Sequence, residues 1–518
     1  MRTLKHYPNR HLRIAGFSVL FLSLVFLIIG PHHLVSGAQQ IYNKWMVLTM
    51  ILDKIERFYV DETDPDDLLK NAIDGMLSGL DPHSVYIPSK TYKEYEQKFQ
   101  GYVGVGLKYN ILNDQYIVTS LVETGPAELA GLHVGDRIET LEGRPVSQLL
   151  PAEIDKLLTS EDQQSVELQI QRPSQDDLLT FQLPKRQISV ASIPVACKLD
   201  ASTGYIRIDH FMDSTPKELD QAFAKLQNAG IQQLLLDLRN NSGGAFDAGV
   251  AVADRFIPNG KMIVFTKGRI PHSSEEFIAT QQVSLPFMPL VVLVDEATAS
   301  DAEIVAGAIQ DWDRGIIVGQ RTFGKALVQT EYPFQDGSVL LLTTARYYTP
   351  LGRLIQSDYG QTTGQSEKVT FKTPKGRTVF GGGGIFPDFE LDKPAGSLSP
   401  FLKTLYLAPQ NPLYTFADAY ITELPESDRP TDMNAFLQSF HVSEALLQRF
   451  ATFIRDRGFQ YTAQEFSANR DALQLAIKTH IAWRVWGETG RYTALALQDE
   501  QVKQAMGFFQ QASKLASR

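Results

Sequence analysis

The sequence predicts a multidomain α/β protein with an N-terminal helical segment, a β-rich module, an α/β core and a helical C-terminal region. The chain has 518 residues, whereas a single hydrophobic core stops growing at roughly 250–300 residues. Apolar strands alternate with amphipathic helices between residues 204 and 319, and the segments on either side show other periodicities. Hydrophobic residues make up 43% of the chain and charged residues 21%, which is typical of a globular protein.

The first segment, residues 1–37, has the pattern of a membrane anchor or signal segment. An uncharged and mostly apolar run at 14–30 follows four basic residues, Arg2, Lys5, Arg10 and Arg13. The basic flank is expected to stay in the cytoplasm, which places the chain after Pro31 on the far side of the membrane. We expect an uncleaved anchor, although small residues at 35–37 also fit cleavage after Gly37.

Residues 38–100 are predicted to be helical. Apolar residues recur there at spacings of three and four, as on one face of an amphipathic helix. They are Val47, Ile51, Ile55, Tyr59, Leu69, Ile73, Met76 and Leu77. A turn at 80–84 ends this helical part, because Pro82 disfavours helix continuation.

Residues 101–185 change to short strands, such as 116–118 and 166–170, separated by turn signals. A glycine loop opens this module, formed by Gly104, Val105, Gly106 and Leu107. Its backbone N–H groups can point into one concavity that holds a carboxylate, while an exposed strand edge pairs with a peptide. Alone, the two glycines would indicate only a hairpin turn, but motifs at 125–132 and 135–138 follow in order. The module resembles a PDZ domain, a family that captures peptide C-termini.

Residues 186–392 are predicted to form the α/β core. Continuous apolar strands flanked by helices indicate a buried and largely parallel sheet. The predicted strands are 204–208, 233–238, 290–294 and 316–319, and the predicted helices are 217–228, 247–256 and 301–312. Residues 393–518 are predicted to form a helical region for oligomer contacts or substrate handling.

The charge and the cysteine content disfavour several classes of function. The formal net charge is -10, and no long basic run follows the N-terminus, which argues against nucleic-acid binding and favours polypeptide partners. The single cysteine, Cys197, cannot form an intrachain disulfide and is expected in the core. The sequence contains no Cys/His cluster with metal-ligand spacing, so we predict neither a metal nor another cofactor.

Two loops of the predicted core are candidates for a site, because ligands bind where the strands of an open α/β sheet end. One loop contains Gly243 and Gly244, whose backbone N–H groups can stabilise an oxyanion. The other runs through Ser300 directly into a helix. Ser300 with Glu303 three residues further on is also the pattern of a capping box, which has no catalytic content.

Lys325 is the residue that favours a catalytic role for Ser300. Its neighbours include Phe323 and Leu327, and burial among apolar residues favours the neutral amine that a general base requires. Gln329, four residues further on, leaves an extended strand from the same face as Lys325. It can therefore orient the amine through a hydrogen bond without adding charge. The alternative is an exposed lysine on an edge strand.

These segments together resemble the C-terminal processing peptidases, the tail-specific protease family of serine peptidases. The resemblance covers about residues 59–391, and its motifs are LDPHS at 80–84, LDLRNN at 236–241, EIVAGA at 303–308, GQRTFGK at 319–325, YYTP at 347–350 and GGIFPD at 383–388. It implies a core of the ClpP/crotonase type, with Ser300 as nucleophile and Lys325 and Gln329 at the family's lysine and glutamine positions. It also implies a backbone oxyanion hole, for which the candidates are Gly243, Gly244 and Asp301.

The sequence departs from the family pattern beside the nucleophile. The family usually reads Ser-Ala-Ser-Ala-Ser-Glu there, whereas this chain reads TASDAE at 298–303. An acid, Asp301, therefore directly follows Ser300. If Asp301 faced Lys325, it would favour the ammonium form of the lysine and weaken the base.

The resemblance implies a serine endopeptidase of the bacterial cell envelope that cleaves unfolded or C-terminally exposed polypeptides. We expect its catalytic part in the periplasm, anchored in the inner membrane or exported, and a homo-oligomer formed through the C-terminal helices. The alternative is a catalytically silent scaffold that binds peptide C-termini. A Ser-His-Asp hydrolase is disfavoured, because the chain has no Gly-x-Ser-x-Gly motif and none of its ten histidines lies at a recognisable catalytic position.

Overall fold

The computed structural model describes residues 32–92, 101–112, 114–160, 162–173, 175–189, 191–280, 287–357, 368–392 and 398–516. The chain divides into two compact units between Tyr86 and Ile87. The predicted membrane segment at 14–30 lies outside the described residues. Among the helices that are described, none has both the length and the apolar character needed to cross a bilayer.

The first unit contains α1 (His32–Phe58) and α2 (Pro65–Leu77), which confirms the predicted helical lead-in. Helix α2 starts at a proline, whose fixed φ suits the first helical position. The carboxylate of Asp64 caps this end, because it accepts a hydrogen bond from the Asp66 amide at 2.9 Å. Strand β1 (Val85–Ile87) follows and ends at the first residue of the second unit.

The β-rich module lies in the second unit. Its elements are β2 (Tyr102–Gly104), β3 (Leu107–Leu112), β4 (Gln115–Leu121), α3 (Pro126–Leu129), β5 (Arg137–Leu141), β6 (Arg144–Pro145), α4 (Pro151–Thr159), β7 (Ser165–Gln171), β8 (Leu178–Pro184) and β9 (Arg186–Ile188). The main sheet is antiparallel, in the order β3-β4-β5-β7-β8 with β6 beside β5, and β2 pairs with β9. Alternating buried residues of β7, such as Val166 and Leu168, form its core with Ile154 of α4.

The α/β core follows in the same unit. Its elements are β10 (Val195–Lys198), β11 (Thr203–Arg207), α5 (Thr215–Asn228), β12 (Gln233–Asp237), α6 (Phe246–Asp254), β13 (Met262–Gly268), β14 (Glu276–Ile278), β15 (Leu290–Val294), α7 (Asp301–Asp311), β16 (Ile316–Gly319), β17 (Leu327–Pro333), β18 (Val339–Tyr348), β19 (Val369–Lys372), β20 (Thr378–Gly381) and β21 (Phe389–Glu390). The central sheet has the order β10-β11-β12-β15-β16-β21. All its pairs are parallel except β10 with β11, which confirms the predicted largely parallel sheet.

A second, antiparallel sheet was not predicted from the sequence. It joins β17 to β18, β18 to β13 and β13 to β14. Strands β19 and β20 form a separate antiparallel pair. The second sheet matters for the site because β17 begins two residues after Lys325 and β18 ends with Tyr347 and Tyr348.

The C-terminal region is helical, as predicted. Its helices are α8 (Pro400–Leu407), α9 (Pro412–Glu423), α10 (Met433–Ser439), α11 (Glu444–Asp456), α12 (Ala463–Ala468), α13 (Arg470–Gln498), α14 (Glu500–Met506) and α15 (Phe509–Ala516). The first six build a core of their own, in which Phe416, Phe450 and Ile477 are buried.

Helices α14 and α15 instead cover one face of the central sheet. Val502 and Phe509 are buried there against Tyr205 and Val291. Helices α5, α6 and α7 cover the other face, so β15 is buried on both sides. The end of the chain is therefore part of the core of the α/β domain, although the sequence analysis assigned it to an accessory region.

Candidate active site

The two loops singled out from the sequence lie against each other. Strands β12 and β15 are parallel neighbours, so the loops that follow them leave the same edge of the sheet. The Thr298 hydroxyl donates to the Leu238 carbonyl oxygen at 2.8 Å, and the Ala299 amide donates to the Asn241 carbonyl oxygen at 2.8 Å. These bonds fix the glycine loop beside the segment that carries Ser300.

Ser300 has a backbone conformation that is rare for a residue with a side chain. Its φ is 57° and its ψ is -118°, immediately before the first residue of α7. The amide of Glu303 donates to the Ser300 carbonyl oxygen at 2.8 Å, and the Ser300 amide donates to Glu303 Oε2 at 2.9 Å. Only the glutamate half of the predicted capping box is therefore formed. A positive φ at a residue with a side chain is strained and is kept only where the surrounding contacts hold it in place, as often happens at active sites.

Glu303 connects the Ser300 segment to the Lys325 segment. Its fully buried carboxylate accepts hydrogen bonds from Ser300, from the amides of Gly324 and Lys325 at 2.8 and 2.9 Å, and from the Thr322 hydroxyl. Burial raises the pKa of Glu303 to about 7, while these hydrogen bonds act in the opposite direction. One side chain thus fixes the backbone at both candidate catalytic residues.

Lys325 lies close to Gln329, as the spacing predicts. The amine Nζ donates to Gln329 Oε1 at 3.0 Å. The assumption of one regular strand was only partly correct, because β17 begins at Leu327 and has a register shift between Val328 and Gln329. Lys325 is half-buried, so it is neither a core residue nor a fully exposed one.

Tyr347 is a site residue that the sequence analysis missed. Its hydroxyl lies 2.9 Å from the Ser300 carbonyl oxygen and 2.5 Å from the Lys325 carbonyl oxygen, in position to donate to either. Burial raises the pKa of this phenol well above its usual value, and the nearby Glu303 and Asp301 carboxylates act in the same direction. The only signal in the sequence was the position of Tyr347 in the family motif at 347–350.

The glycine loop approaches Ser300 closely. Gly243 has a φ of +98°, and a side chain there would come within 2.7 Å of Ser300 Cβ, so this position requires glycine. The Gly243 amide donates to Asn241 Oδ1 at 2.8 Å and is thus engaged within its own loop. The Gly244 amide points out of the loop and donates to Asp301 Oδ2 at 2.7 Å.

Asp301 is almost completely buried, with 2% of its surface exposed. Burial raises its pKa to about 6, whereas the amides of Gly244 and of Asp301 itself and the positive charge of Lys325 lower it. The sequence raised the question of whether Asp301 faces the lysine. The carboxylate interacts electrostatically with Lys325, but its hydrogen bonds go to backbone amides.

The glycine loop of the β-rich module lies between β2 and β3. The Val105 and Gly106 carbonyl oxygens accept hydrogen bonds from the amides of Ala127 and Val122, both at 2.9 Å, which fixes the loop. In the described part of the chain, β3 is an edge strand of its sheet. The Tyr109 hydroxyl of β3 donates to Asp155 Oδ1 of α4 at 2.9 Å. The structure thus provides a strand edge beside a helix, and the Tyr109 hydroxyl connects the two.

Comparisons with known proteins agree with this architecture. The sequence matches peptidase family S41 over residues 202–363, a PDZ domain over 117–172 and a family of unknown function over 405–487. It is 32% identical over 343 residues to the "Carboxy-terminal-processing protease" of Bartonella bacilliformis, a match that covers 65% of this chain and 78% of that protein.

Further similar proteins carry related names. The "Probable CtpA-like serine protease" of Staphylococcus aureus strain N315 is 34% identical over 337 residues, which covers 62% of this chain and 65% of that protein. The match thus spans less than two thirds of that relative. The solved structure titled "Photosystem II D1 C-terminal processing protease" is 29% identical, with 67% of this chain and 92% of that chain covered and a TM-score of 0.35.

The matches to a PDZ domain and to peptidase family S41 define the class of this protein, a PDZ domain joined to the core of a peptidase family. The chain belongs to peptidase family S41, the family of the carboxy-terminal-processing proteases. In the described residues, no group of three or more His, Cys, Asp and Glu side chains is arranged to hold a metal ion. Cys197 is buried, as expected.

Proposed function

We propose that this chain is a serine endopeptidase that cleaves polypeptides with accessible C-termini in the bacterial cell envelope. Ser300 is the nucleophile, Lys325 is the general base and Gln329 orients the lysine amine. The observation that carries the proposal is the common anchoring of Ser300 and Lys325. Both of their amides donate to Glu303, and both of their carbonyl oxygens face the Tyr347 hydroxyl. If Glu303 only capped α7, it would not need to bond the segment that contains Lys325.

The proposed reaction is acyl transfer. Neutral Lys325 takes the proton of Ser300 Oγ as this oxygen attacks the carbonyl carbon of the peptide. The carbonyl oxygen becomes an anion, which the N–H groups of Gly244 and Asp301 stabilise. The lysine ammonium then protonates the leaving amine as the C–N bond breaks. Lys325 next takes a proton from a water molecule as the water attacks the acyl carbon. The lysine ammonium then returns this proton to Ser300 Oγ as the ester C–O bond breaks. These steps need no metal or organic cofactor.

The structure reduces the number of backbone amides that are proposed to stabilise the oxyanion. The sequence suggested the amides of Gly243, Gly244 and Asp301. The Gly243 amide donates to Asn241 within its own loop, whereas the Gly244 amide points out of the loop and donates to the Asp301 side chain. The proposal therefore keeps Gly244 and Asp301. The ψ of -118° at Ser300 and the tight packing of Gly243 against its Cβ support a nucleophile held at a sharp turn.

The PDZ module is proposed to select substrates by their C-termini. The loop of Gly104, Val105, Gly106 and Leu107 would hold the terminal carboxylate, and the free edge of β3 would pair with the preceding residues. The basic and apolar N-terminal segment, which precedes the described residues, is proposed to direct the protein to the inner membrane with its catalytic part in the periplasm.

The proposed activity is tested with the full-length chain in a mild detergent and unfolded casein as substrate. Wild type should cleave casein, and Ser300→Ala and Lys325→Ala should lower kcat by at least about 10³-fold, since the two residues act as a unit. Lys403→Ala, an exposed lysine of α8, is the matched control and should cleave like wild type. Equal cleavage by wild type and Ser300→Ala would refute the assignment of the nucleophile.

Substrate selection is tested with two peptides that differ only at the C-terminus, one a free carboxylate and the other an amide. The free carboxylate should bind more tightly, because a charged carboxylate is a stronger acceptor for the backbone amides of the loop than a neutral amide. Equal affinity for the two peptides would contradict a role of this loop in recognition. Binding of the carboxylate peptide without cleavage of casein by wild type would support the silent scaffold instead.

A further inference from the structure

The side chain of Asp301 fills the space between the two amides that the proposed function assigns to the oxyanion. Gly244 N donates to Asp301 Oδ2 at 2.7 Å, and the carboxylate is also hydrogen-bonded by the amide of Asp301 itself. Since both amides interact with the Asp301 carboxylate, this carboxylate competes with the carbonyl oxygen of a substrate for the same donors.

Asp301 also has a simpler interpretation as an acid in the first turn of a helix. Such acids stabilise the helix through its dipole, and α7 carries Asp301 and Glu303 in its first turn. The dipole does not require burial or a partner outside the helix. Asp301 is 2% exposed and bonds an amide that lies 57 residues earlier in the chain. Its contacts are therefore those of a group directed at the glycine loop.

The surroundings hold this side chain closely. Helix α6 packs against it, because a side chain at Gly249 would come within 2.6 Å of Asp301 Cβ. In the glycine loop, a side chain at Gly243 would lie 3.1 Å from Asp301 Oδ2. The glycines of the loop and of α6 thus leave room for the Asp301 carboxylate where larger residues would exclude it.

We propose that the Asp301 carboxylate is a built-in occupant of the oxyanion site, which must lose its charge or move away before a substrate carbonyl oxygen can bind there. This inference rests on the proposed serine endopeptidase activity. In addition to the nucleophile Ser300 and the base Lys325, the site then has a residue, Asp301, that controls access to the oxyanion site.

Charged and titratable groups lie near Asp301 on the elements that pack around it. Asp247 of α6 disfavours its ionised form and Lys325 favours it, and both Glu303 and Asp301 interact with the buried phenol of Tyr347. With a pKa of about 6, Asp301 is mainly ionised at pH 7.5 and mainly protonated at pH 5. The occupant is thus an anion above pH 6, and its hold on the two amides weakens below that pH because a neutral acid is the poorer acceptor.

The experiment measures the rate at which a fluorophosphonate probe labels Ser300 between pH 5 and pH 9 in full-length wild type, Asp301→Ala and Asp301→Asn. The alanine variant frees both amides, so its rate relative to wild type should be near one at pH 5 and rise to roughly tenfold or more at pH 8. The asparagine variant keeps an acceptor oxygen but does not titrate, so its rate should lie between the two and lack the transition near pH 6.

Two controls keep the test specific. Glu426→Gln changes an exposed carboxylate of the C-terminal region and should match wild type at every pH, while Ser300→Ala should not be labelled. Thermal unfolding shows whether each variant is folded. If only one Asp301 variant folds, its ratio to wild type is sufficient for the test.

Three results would overturn the inference. A ratio of one at every pH would show that Asp301 does not obstruct the site, while labelling itself would leave the proposed function intact. The ratio of the Asp301→Ala rate to the wild-type rate could instead rise and then return to one at high pH. This result would mean that Asp301 acts through the charge of Lys325 and does not occupy the oxyanion site. Labelling of no protein at any pH would contradict the proposed function and with it the inference.

Discussion

Glu303 accepts a hydrogen bond from the backbone amide of Lys325 at 2.9 Å, across 22 residues of the chain. The same carboxylate accepts one from the amide of Ser300. The start of α7 and the segment before β17 are therefore held at a fixed separation by one buried side chain. The residue that resembled half of a helix cap in the sequence thus positions two chain segments.

Replacing Glu303 by glutamine should weaken this connection. Both oxygens of the Glu303 carboxylate accept hydrogen bonds, whereas the NH₂ group of a glutamine can only donate. At least one of the buried donors around this position would therefore lose its acceptor. We expect the free energy of unfolding to fall by about 1–3 kcal/mol and casein cleavage to decrease. Urea unfolding and kcat measure the two effects. Glu426→Gln, an exposed counterpart, should change neither, and a Glu303→Gln protein that behaves like this control would contradict the positioning role.

The ionisation of Asp301 should make stability depend on pH. Its pKa is about 6 in the folded protein against a usual value of 3.8, so the folded state binds the proton more tightly than the unfolded state. The stabilisation is complete below pH 3.8 and is lost as the pH rises through 6. Since a tenfold change in proton affinity is about 1.4 kcal/mol, wild type should lose up to about 3 kcal/mol relative to Asp301→Ala between pH 4 and pH 7.5. Parallel pH profiles of the two unfolding free energies would contradict a raised pKa.

Tyr347→Phe removes only the hydroxyl that faces the carbonyl oxygens of Ser300 and Lys325. If this contact sets the distance between the two residues, kcat should fall roughly 10- to 100-fold, because small misplacements of reacting groups are costly. KM should change little, since the buried phenol lies beneath the site. Tyr348→Phe is the matched control, because the Tyr348 ring stacks on Phe265 at 5.1 Å between ring centres. An equal kcat for both variants would exclude a positioning role for Tyr347.

The end of the chain should support the glycine loop through Arg239. This buried guanidinium bonds Asp237 at the end of β12 and reaches Asp499 and Gln501 at 2.8 and 2.9 Å. Asp499 also caps α14, because its carboxylate accepts hydrogen bonds from the amides of Gln501 and Val502. Asp499→Ala therefore removes a helix cap, worth about 1 kcal/mol, and also a partner of Arg239, worth about 1–3 kcal/mol more.

A second cap provides the control for this prediction. Asp432 caps α10 by accepting a hydrogen bond from the Ala435 amide at 3.0 Å. Asp432→Ala should lower the free energy of unfolding only by the contribution of the cap and leave kcat unchanged. Asp499→Ala should lower the free energy of unfolding further and should also lower kcat. Equal effects of the two substitutions would mean that the contact with Arg239 contributes nothing.

Local patterns were sufficient to predict most of the central sheet. The apolar runs at β12 and β15 and the helix that starts after Ser300 all lie within a few residues of their predicted bounds, because burial on both faces leaves a continuous hydrophobic signal. The proximity of Lys325 and Gln329 was also predicted from their spacing, although Lys325 lies before β17 and the strand has a register shift before Gln329. The resemblance to the family then indicated which serine and which lysine are the candidate nucleophile and base.

Features that depend on distant partners were not predictable in this way. Arg239 resembles a surface residue in the sequence, and its partner Asp499 lies 260 residues further along the chain. The apolar faces of α14 and α15 have the periodicity of any amphipathic helix, which does not indicate that they cover the central sheet. Likewise, the sequence raised a possible effect of Asp301 on Lys325, but the contact of its carboxylate with the Gly244 amide depends on the folded glycine loop.

The most direct test of the account is to map the residue that a fluorophosphonate modifies in the full-length chain, by mass spectrometry of its peptides. The account predicts one modified residue, Ser300, with labelling at neutral pH that is lost in Lys325→Ala and retained in Lys403→Ala. Modification of another serine, or undiminished labelling of Ser300 in Lys325→Ala, would contradict the assignment of Ser300 and Lys325 as nucleophile and base.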